Sequence, residues 1–379
     1  MGTPASSVPS APPGPLTGFT VGVTAARRRE ELVAMLTRRG ARVVQAPALR
    51  IIPLQDDAAL RHATEACLAA PLDYVVATTG VGWRGWMSAA DGWGRGGALV
   101  AACQGAAVLT RGPKATGAVR ASGLTETHSP GSEATDELLA WLLSRPLAGR
   151  RVAVQEHGLP LTAFVAALRE RGAEVVPVPV YRWAPPEDPG AFRRLVERTL
   201  RREVDALAFT SAPAVTAFLE TAAAGGRYRH ALEALSGDVL AACVGPVCAR
   251  PLLDAGLPVV WPERGRLGAL VRVLTQTLPP RGRRELRLAG RVLILQGSAL
   301  LADGESRWLS SRGAALLRAL AERPGRVRSR PDLLRRVWAD TDADEHAVEA
   351  AVARLRAALG PHGRLIETVP KRGYRLAAS

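Results

Sequence analysis

Short apolar runs alternate with amphipathic segments through the first three quarters of the chain. Thr20–Thr24 and the runs within DYVVATT (73–79) and DALAFTS (205–211) are of strand length and mostly apolar, as strands buried on both faces are, and Ala41–Ala46 reads as a further strand. Arg28–Arg39 instead places Leu32, Met35 and Leu36 at helical spacing, and Gly40 stands where a helix C-cap belongs. Arg151–Gln155, Leu161–Arg171, Gly172 and Glu174–Val178 repeat that order of strand, helix, glycine and strand. Alternating strands and helices predict an α/β fold, with parallel sheets covered on both faces. Ligands of such sheets lie beyond the carboxyl ends of the strands.

The alternation is itself duplicated. RRGARVVQAPALR (38–50) reads like ERGAEVVPVPVYR (170–182), at an offset of 132. The same offset pairs Leu36 with Leu168, Thr78-Thr79 with Thr210-Ser211, Pro130 with Pro262, Leu138 with Leu270 and Leu142 with Leu274. Gly112-Pro113 meets Gly245-Pro246 after one inserted residue. So constant an offset marks 17–145 and 149–278 as two copies of one unit.

The chemistry sits where strands turn into helices. Thr78, Thr79, Thr210 and Ser211 are hydroxyls at such turns, and Arg111-Gly112-Pro113-Lys114 and Gly245-Pro246 head two further helices. Helix N-termini offer unpaired N–H groups and a positive dipole end, so these turns suit an anion. Singly, each hydroxyl is an ordinary helix cap; recurring in both copies, the turns are expected to border one ligand cleft. Gly80-Val81-Gly82-Trp83-Arg84-Gly85 also spells a dinucleotide fingerprint. That reading needs an acidic residue about 20 positions on, and 98–109 holds none. Trp83, Trp86 and Trp93 are therefore read as core or lid residues, and no nucleotide cofactor is expected.

FTSAPAVTAFLE (209–220), VGPVCARPLLDAGLPV (244–259), RGPKA (111–115) and VPVYRW (178–183) resemble uroporphyrinogen-III synthase (HemD). The resemblance covers 17–278. It implies two α/β lobes joined by a two-stranded linker, with crossing strands near 47–52 and 179–184. One lobe would then comprise 17–46 and 185–278, and the other 53–178. It implies cyclisation of the linear bilane hydroxymethylbilane to uroporphyrinogen III, with loss of water and without metal or organic cofactor. Its polycarboxylate ligand would meet Thr78, Thr79, Arg111, Gly112, Lys114, Thr210, Ser211, Gly245 and Pro246. Tyr181 falls where the family's proton-donating tyrosine is proposed, a catalytic role if the chain is active. The family's hydroxyl-rich turn after the Gly-Pro pair reads Val247-Cys248 here, which weakens the expectation of turnover more than that of binding.

The last hundred residues follow a different pattern. Pro279-Pro280 opens a stretch read as a linker, 279–284, and Glu285–Leu288, Arg291–Leu295 and Ala299–Ala302 read as strands. Helices are expected after Ser310-Ser311, over Arg330–Val337 and over Glu345–Leu359, where Val348, Val352, Leu355 and Leu359 form one apolar stripe. A hairpin closes the domain, Leu365–Val369 turning through Pro370-Lys371-Arg372-Gly373 into Tyr374–Leu376. LSSRGAALLRALAERPGRVRSRPDLLRRVW (309–338), EHAVEAAVARLRAALG (345–360) and IETVPKRGYRL (366–376) resemble the OmpR-like winged helix-turn-helix over 285–379. That family places its third helix in the major groove and its wing in the adjacent minor groove. His346, Arg354 and Arg356 would then face double-stranded DNA from the helix, and Thr368, Lys371 and Arg372 from the wing. Ala350, Ala351 and Ala353 stand where larger polar residues are common, so base readout from the helix is expected to be sparse.

Charge agrees with this division. The 379 residues carry a formal charge of +15, of which +9 falls in 281–379, so an anionic partner is expected twice. Apolar content of 47% suffices for packed cores, and no stretch is long and apolar enough to suggest a membrane span. Residues 1–16 are Pro/Ser/Ala-rich and read as a disordered tail. Cys67, Cys103, Cys243 and Cys248 form no CxxC motif and are read as reduced, buried thiols of a cytoplasmic protein. The histidines form no HExxH, so no metal is expected. The whole predicts a DNA-binding transcriptional regulator with a synthase-like sensing domain. Actinobacterial regulators of nitrate/nitrite assimilation resemble this layout. The alternative is an active uroporphyrinogen-III synthase that also binds DNA, and either reading allows a dimer on DNA.

Overall fold

A computed structural model describes residues 13–53, 58–131, 134–158, 160–288, 290–338 and 343–377. The chain forms two compact units, one of residues up to 48 together with 188 onwards, the other of Leu49–Glu187. The first unit holds one α/β lobe (lobe one) and the C-terminal domain; the second is the other lobe (lobe two).

In chain order, lobe one opens with β1 (Thr20–Val23), α1 (Arg29–Thr37) and β2 (Arg42–Gln45). Lobe two follows with β3 (Arg50–Pro53), α2 (Ala58–Leu68), β4 (Tyr74–Ala77), α3 (Gly80–Gly92), α4 (Gly96–Gln104), β5 (Ala107–Thr110), α5 (Pro113–Ala121), α6 (Thr135–Leu143), β6 (Arg151–Gly158), α7 (Thr162–Glu170) and β7 (Glu174–Ala184). The chain then completes lobe one with α8 (Pro189–Leu200), β8 (Ala206–Phe209), α9 (Ala212–Ala224), α10 (Tyr228–Ser236), β9 (Leu240–Cys243), α11 (Pro246–Asp254) and α12 (Leu267–Gly282). The C-terminal domain has β10 (Arg283–Leu288), β11 (Arg291–Gln296), β12 (Ala299–Ala302), β13 (Glu305–Trp308), α13 (Ser311–Ala321), α14 (Arg330–Val337), α15 (Glu345–Leu359), β14 (Ile366–Val369) and β15 (Gly373–Leu376).

The two sheets exchange halves of the repeat. Lobe one has the order β2-β1-β8-β9 and lobe two β3-β7-β6-β4-β5. β1 of the first copy lies parallel to β8 of the second, Val21 opposite Ala206, while β4 lies parallel to β6, Tyr74 opposite Val152. β1, β8 and β9 are buried along their length, as central strands between helical layers must be. The crossing strands pair antiparallel, with Arg50 opposite Ala184 and Pro53 opposite Tyr181.

Two boundaries differ from the sequence expectation. Leu16 is fully buried in the lobe-one core, and its N–H donates to the Arg39 carbonyl at 2.8 Å. The ordered chain thus includes 13–16, while 1–12 lie outside the described residues. The 279–284 stretch is no free linker, because α12 runs through Pro279-Pro280 to Gly282 and β10 begins at the next residue. Leu278 is buried, and a Cβ on Gly282 would lie 2.6 Å from the Phe19 ring. Packing at both ends of the proline pair holds the helix against its propensity.

The C-terminal domain places a four-stranded antiparallel sheet before three helices and the β14–β15 hairpin. β13 was not legible as a strand, since ESRW has no apolar alternation; it is specified by pairing with β12, Ala299 opposite Trp308. Leu316, Leu320, Val348, Val352 and Leu355 form the core beneath the sheet. All four cysteines are free and buried. Among the described residues no helix is long and apolar enough to cross a membrane.

Candidate functional site

In lobe two the candidate residues converge at the carboxyl ends of β4, β5 and β6. Thr79 caps α3 and accepts the Gly82 N–H at 3.2 Å. The neighbouring helix α5 starts at Gly112 and Pro113, with Lys114 exposed. These two helix starts touch: a Cβ on Gly80 would collide with the Lys114 carbonyl oxygen, and one on Gly82 with Gln155 Nε2. The first two glycines of the dinucleotide-like fingerprint thus serve close packing, whereas a Cβ on Gly85 would meet nothing. Trp83 and Trp86 are fully buried and meet edge to face, with centroids 5.7 Å apart.

Some expected ligand groups have internal partners. The Thr78 hydroxyl is buried and donates to the Gln155 carbonyl at 3.0 Å, tying β4 to β6. Gln155 Nε2 donates to Thr79 Oγ1 at 2.8 Å. Arg111 reaches His157, its Nη1 3.2 Å from Nε2. Burial, reinforced by the Arg111 charge, pushes the His157 pKa down to about 4, so the ring is neutral and the guanidinium meets an acceptor. Gln155 Oε1 and His157 Nδ1 are buried without a hydrogen-bond partner. Burial also raises the Glu156 carboxyl above its ordinary range. Tyr181 is 8% exposed and packs in the apolar cluster of lobe two with Val178 and Val180.

Lobe one repeats the geometry with different chemistry. Ser211 caps α9 without a side-chain hydrogen bond, and Thr210 beside it is half-buried. Gly245 and Pro246 start α11, which packs against α9 as α5 does against α3. In the first turn of α11, Val247 is 55% exposed and Cys248 is buried.

The C-terminal domain presents a basic face. Asp344 caps α15 by accepting the Ala347 N–H at 3.1 Å. His346, Ala350, Ala353 and Arg354 are exposed along the helix, whereas Ala351 is buried in the core. Lys371 and Arg372 are exposed at the hairpin turn, with Lys371 at φ 62°. Arg356 is half-buried. Its Nε and Nη2 donate to the Ile366 carbonyl at 3.0 and 2.6 Å, and Nη2 also to Thr368 Oγ1 at 2.9 Å. Both residues therefore hold the wing to the helix. Behind them, Arg328 bridges Glu322 at 2.6 Å and Asp332 at 3.1 Å, fixing the loop onto which the wing folds.

Residues 30–272 match the uroporphyrinogen-III synthase HemD family, and 304–376 match the C-terminal domain of transcriptional regulatory proteins. The first match spans more than half of the chain. The chain belongs to the uroporphyrinogen-III synthase (HemD) family. It is 30% identical over 260 residues to the uncharacterized protein YjjA of Bacillus subtilis (strain 168), covering 68% of this chain and 94% of that one. A mutant uroporphyrinogen III synthase from the extremely thermophilic bacterium Thermus thermophilus is 31% identical, with a TM-score of 0.58, over 68% of this chain and 98% of that chain. The transcriptional regulatory protein AfsQ1 of Streptomyces coelicolor is 38% identical over 127 residues, 31% of this chain and 55% of that protein. The synthase-like body thus carries an OmpR-like DNA-binding domain.

The strand-end turns were read from the sequence pattern, whereas Gln155 and His157 were missed. Their copy-one counterparts at the 132 offset are Val23 and Ala25, so the repeat does not signal them; the polar run Gln155-Glu156-His157 ending an apolar strand does.

Three substitutions test this geometry. His157→Gln should remove a pH dependence: the unfolded histidine protonates near 6.5 and the folded one near 4. The native state loses stability as pH falls through that window, by roughly 3 kcal/mol in full, and keeps it above 6.5. Urea midpoints at pH 5 and 7.5 should therefore lie closer together in the variant. Arg356→Ala should destabilise the C-terminal domain by about 2 kcal/mol. Arg354→Ala should leave its unfolding midpoint nearly unchanged and reduce the salt slope of DNA binding by about 1.

Proposed function

We propose that the chain is a transcriptional regulator whose synthase-like body binds a polycarboxylate tetrapyrrole or linear bilane as a signal. The observation that carries this reading is the first turn of α11, where an exposed Val247 and a buried Cys248 offer an anion no hydroxyl. Tyr181, the candidate proton donor, is 8% exposed, which limits its reach to a leaving hydroxide on a bound ligand. Binding needs less. Taken separately, each lobe offers a pair of adjacent helix N-termini suited to a carboxylate, α3 with α5 and α9 with α11.

The DNA reading rests on the exposed His346, Arg354, Lys371 and Arg372. With alanines at 350 and 353, phosphate contacts and the wing carry more of the affinity than base readout from α15. Control of nitrate/nitrite assimilation fits this reading, because nitrite reductase depends on sirohaem made from uroporphyrinogen III. Such a regulator acts in the cytoplasm on double-stranded DNA, as a monomer or a dimer. A second reading, a working synthase that also binds DNA, is favoured by the uncommitted Ser211 cap of α9.

Incubation of the full chain with hydroxymethylbilane separates the two. Only isomer I, the product of spontaneous closure, is expected, and clear formation of isomer III would establish the synthase reading instead. For DNA, Lys371→Ala with Arg372→Ala should weaken duplex binding and reduce its log–log salt slope by about 2. An unchanged slope would remove the wing from the interface.

A further inference from the structure

The C-terminal domain is joined to lobe one by more than the chain that links them. Gly18 precedes β1, Gly282 closes α12 and Gly297 lies in the β11–β12 turn; the three meet backbone to backbone. The Gly297 N–H donates to the Gly282 carbonyl at 2.9 Å, and the Ser298 N–H to the Gly18 carbonyl at 2.7 Å. A Cβ on Gly18 would collide with the Gln296 carbonyl oxygen, and one on Gly297 with the Gly18 carbonyl oxygen. Both glycines also have positive φ, 95° and 53°, so space and conformation both exclude a side chain.

Side chains close the joint. Gln296 is 2% exposed, and its Nε2 donates to the carbonyls of Pro15 at 3.2 Å and Thr17 at 2.8 Å. Arg318 of α13 donates to the Gly297 carbonyl at 3.0 Å, and its charge acts on Asp205 and Asp238 of lobe one. Asp205 in turn accepts the Thr20 N–H at the head of β1, at 2.7 Å. Arg42 of β2 stacks 3.8 Å above the Trp308 ring of β13. The exposed basic face of α15 and the wing takes no part in these contacts, so the joint orients the DNA-reading surface without covering it.

We propose that this three-glycine joint is a coupling element, making lobe one and the winged helix one cooperative body in which binding on either is felt by the other. A desolvated backbone contact of this kind is made or lost as a unit, which is what a linkage between sites requires. On one side it holds the head of β1, whose far end lies beside the β8 turn that carries Thr210. On the other it holds α13, which packs directly on α15.

Hydrogen–deuterium exchange of the full chain tests this, with and without a random-sequence DNA duplex at low salt, where phosphate contacts suffice for binding. The duplex should slow exchange at the wing and, at least fivefold, at 20–23. β1 is buried along its length, so protection there does not come from touching DNA. Gly18→Val and Gln296→Ala should each abolish the slowing at 20–23 while keeping it at the wing. Gly18→Val acts from the lobe-one side, and Gln296→Ala removes two hydrogen bonds without straining the backbone, so the failure of one variant to fold leaves the other decisive. A protected wing with unchanged β1 in the native chain, or β1 protection kept in the folded variants, overturns the proposal. Protection at neither place overturns the DNA-binding reading on which the proposal rests.

Discussion

Parallel pairing of β1 with β8, and of β4 with β6, is the constraint on which the rest of the molecule depends. Neither copy of the repeat makes its own sheet. β1 and β2 would form a two-stranded fragment without β8 and β9, and a parallel pair of that size cannot be covered on both faces. The chain must therefore leave lobe one after β2, build lobe two and return, and the antiparallel β3–β7 pair is where it crosses. The cost is long-range closure, with Val21 meeting Ala206 across the whole of lobe two, a topology that slows folding. The gain is a lobe-one sheet whose central strands are fully buried and a lobe-two sheet whose central strand is buried over residues 152–155.

The same exchange sets the chemistry. Each sheet delivers a pair of adjacent helix starts at its carboxyl end, α3 with α5 and α9 with α11. In lobe two this corner is tightened by Gly80 and Gly82, and Thr78, Thr79 and Gln155 form an internal hydrogen-bonded set. In lobe one the Ser211 cap is uncommitted, and an exposed valine stands in the first turn of α11. Two geometrically equivalent corners have thus diverged in what they can offer an anion. Arg111 donates to a neutral His157.

The C-terminal domain divides its basic residues between two tasks. Arg328, Arg330 and Arg356 are held by carboxylates or carbonyls and fix the loop, the helix pair and the wing. Arg354, Lys371 and Arg372 are left at the surface. A count of charge does not separate these groups; their hydrogen bonds do. The docking face is separate again, built from glycine backbone and one buried glutamine.

The strands, helices, duplicated unit and winged-helix module were legible in the chain because their signals are local: apolar periodicity, cap and turn residues, and a constant offset of 132. The helices expected at Arg330–Val337 and Glu345–Leu359 coincide with α14 and α15 for the same reason. Other features have no local signal. Leu16 looks like part of a Pro/Ser/Ala-rich tail until Arg39 and the lobe-one core receive it. Pro279-Pro280 looks like a linker until Phe19 packs on Gly282. Arg356 looks like a DNA contact until β14 brings the Ile366 carbonyl to it, and Gln296 finds Pro15 across 281 positions of sequence. The chain's periodicity determined which pieces exist. Tertiary structure decided which pieces share a sheet and which charges are already bonded, because those depend on partners no short window of sequence contains.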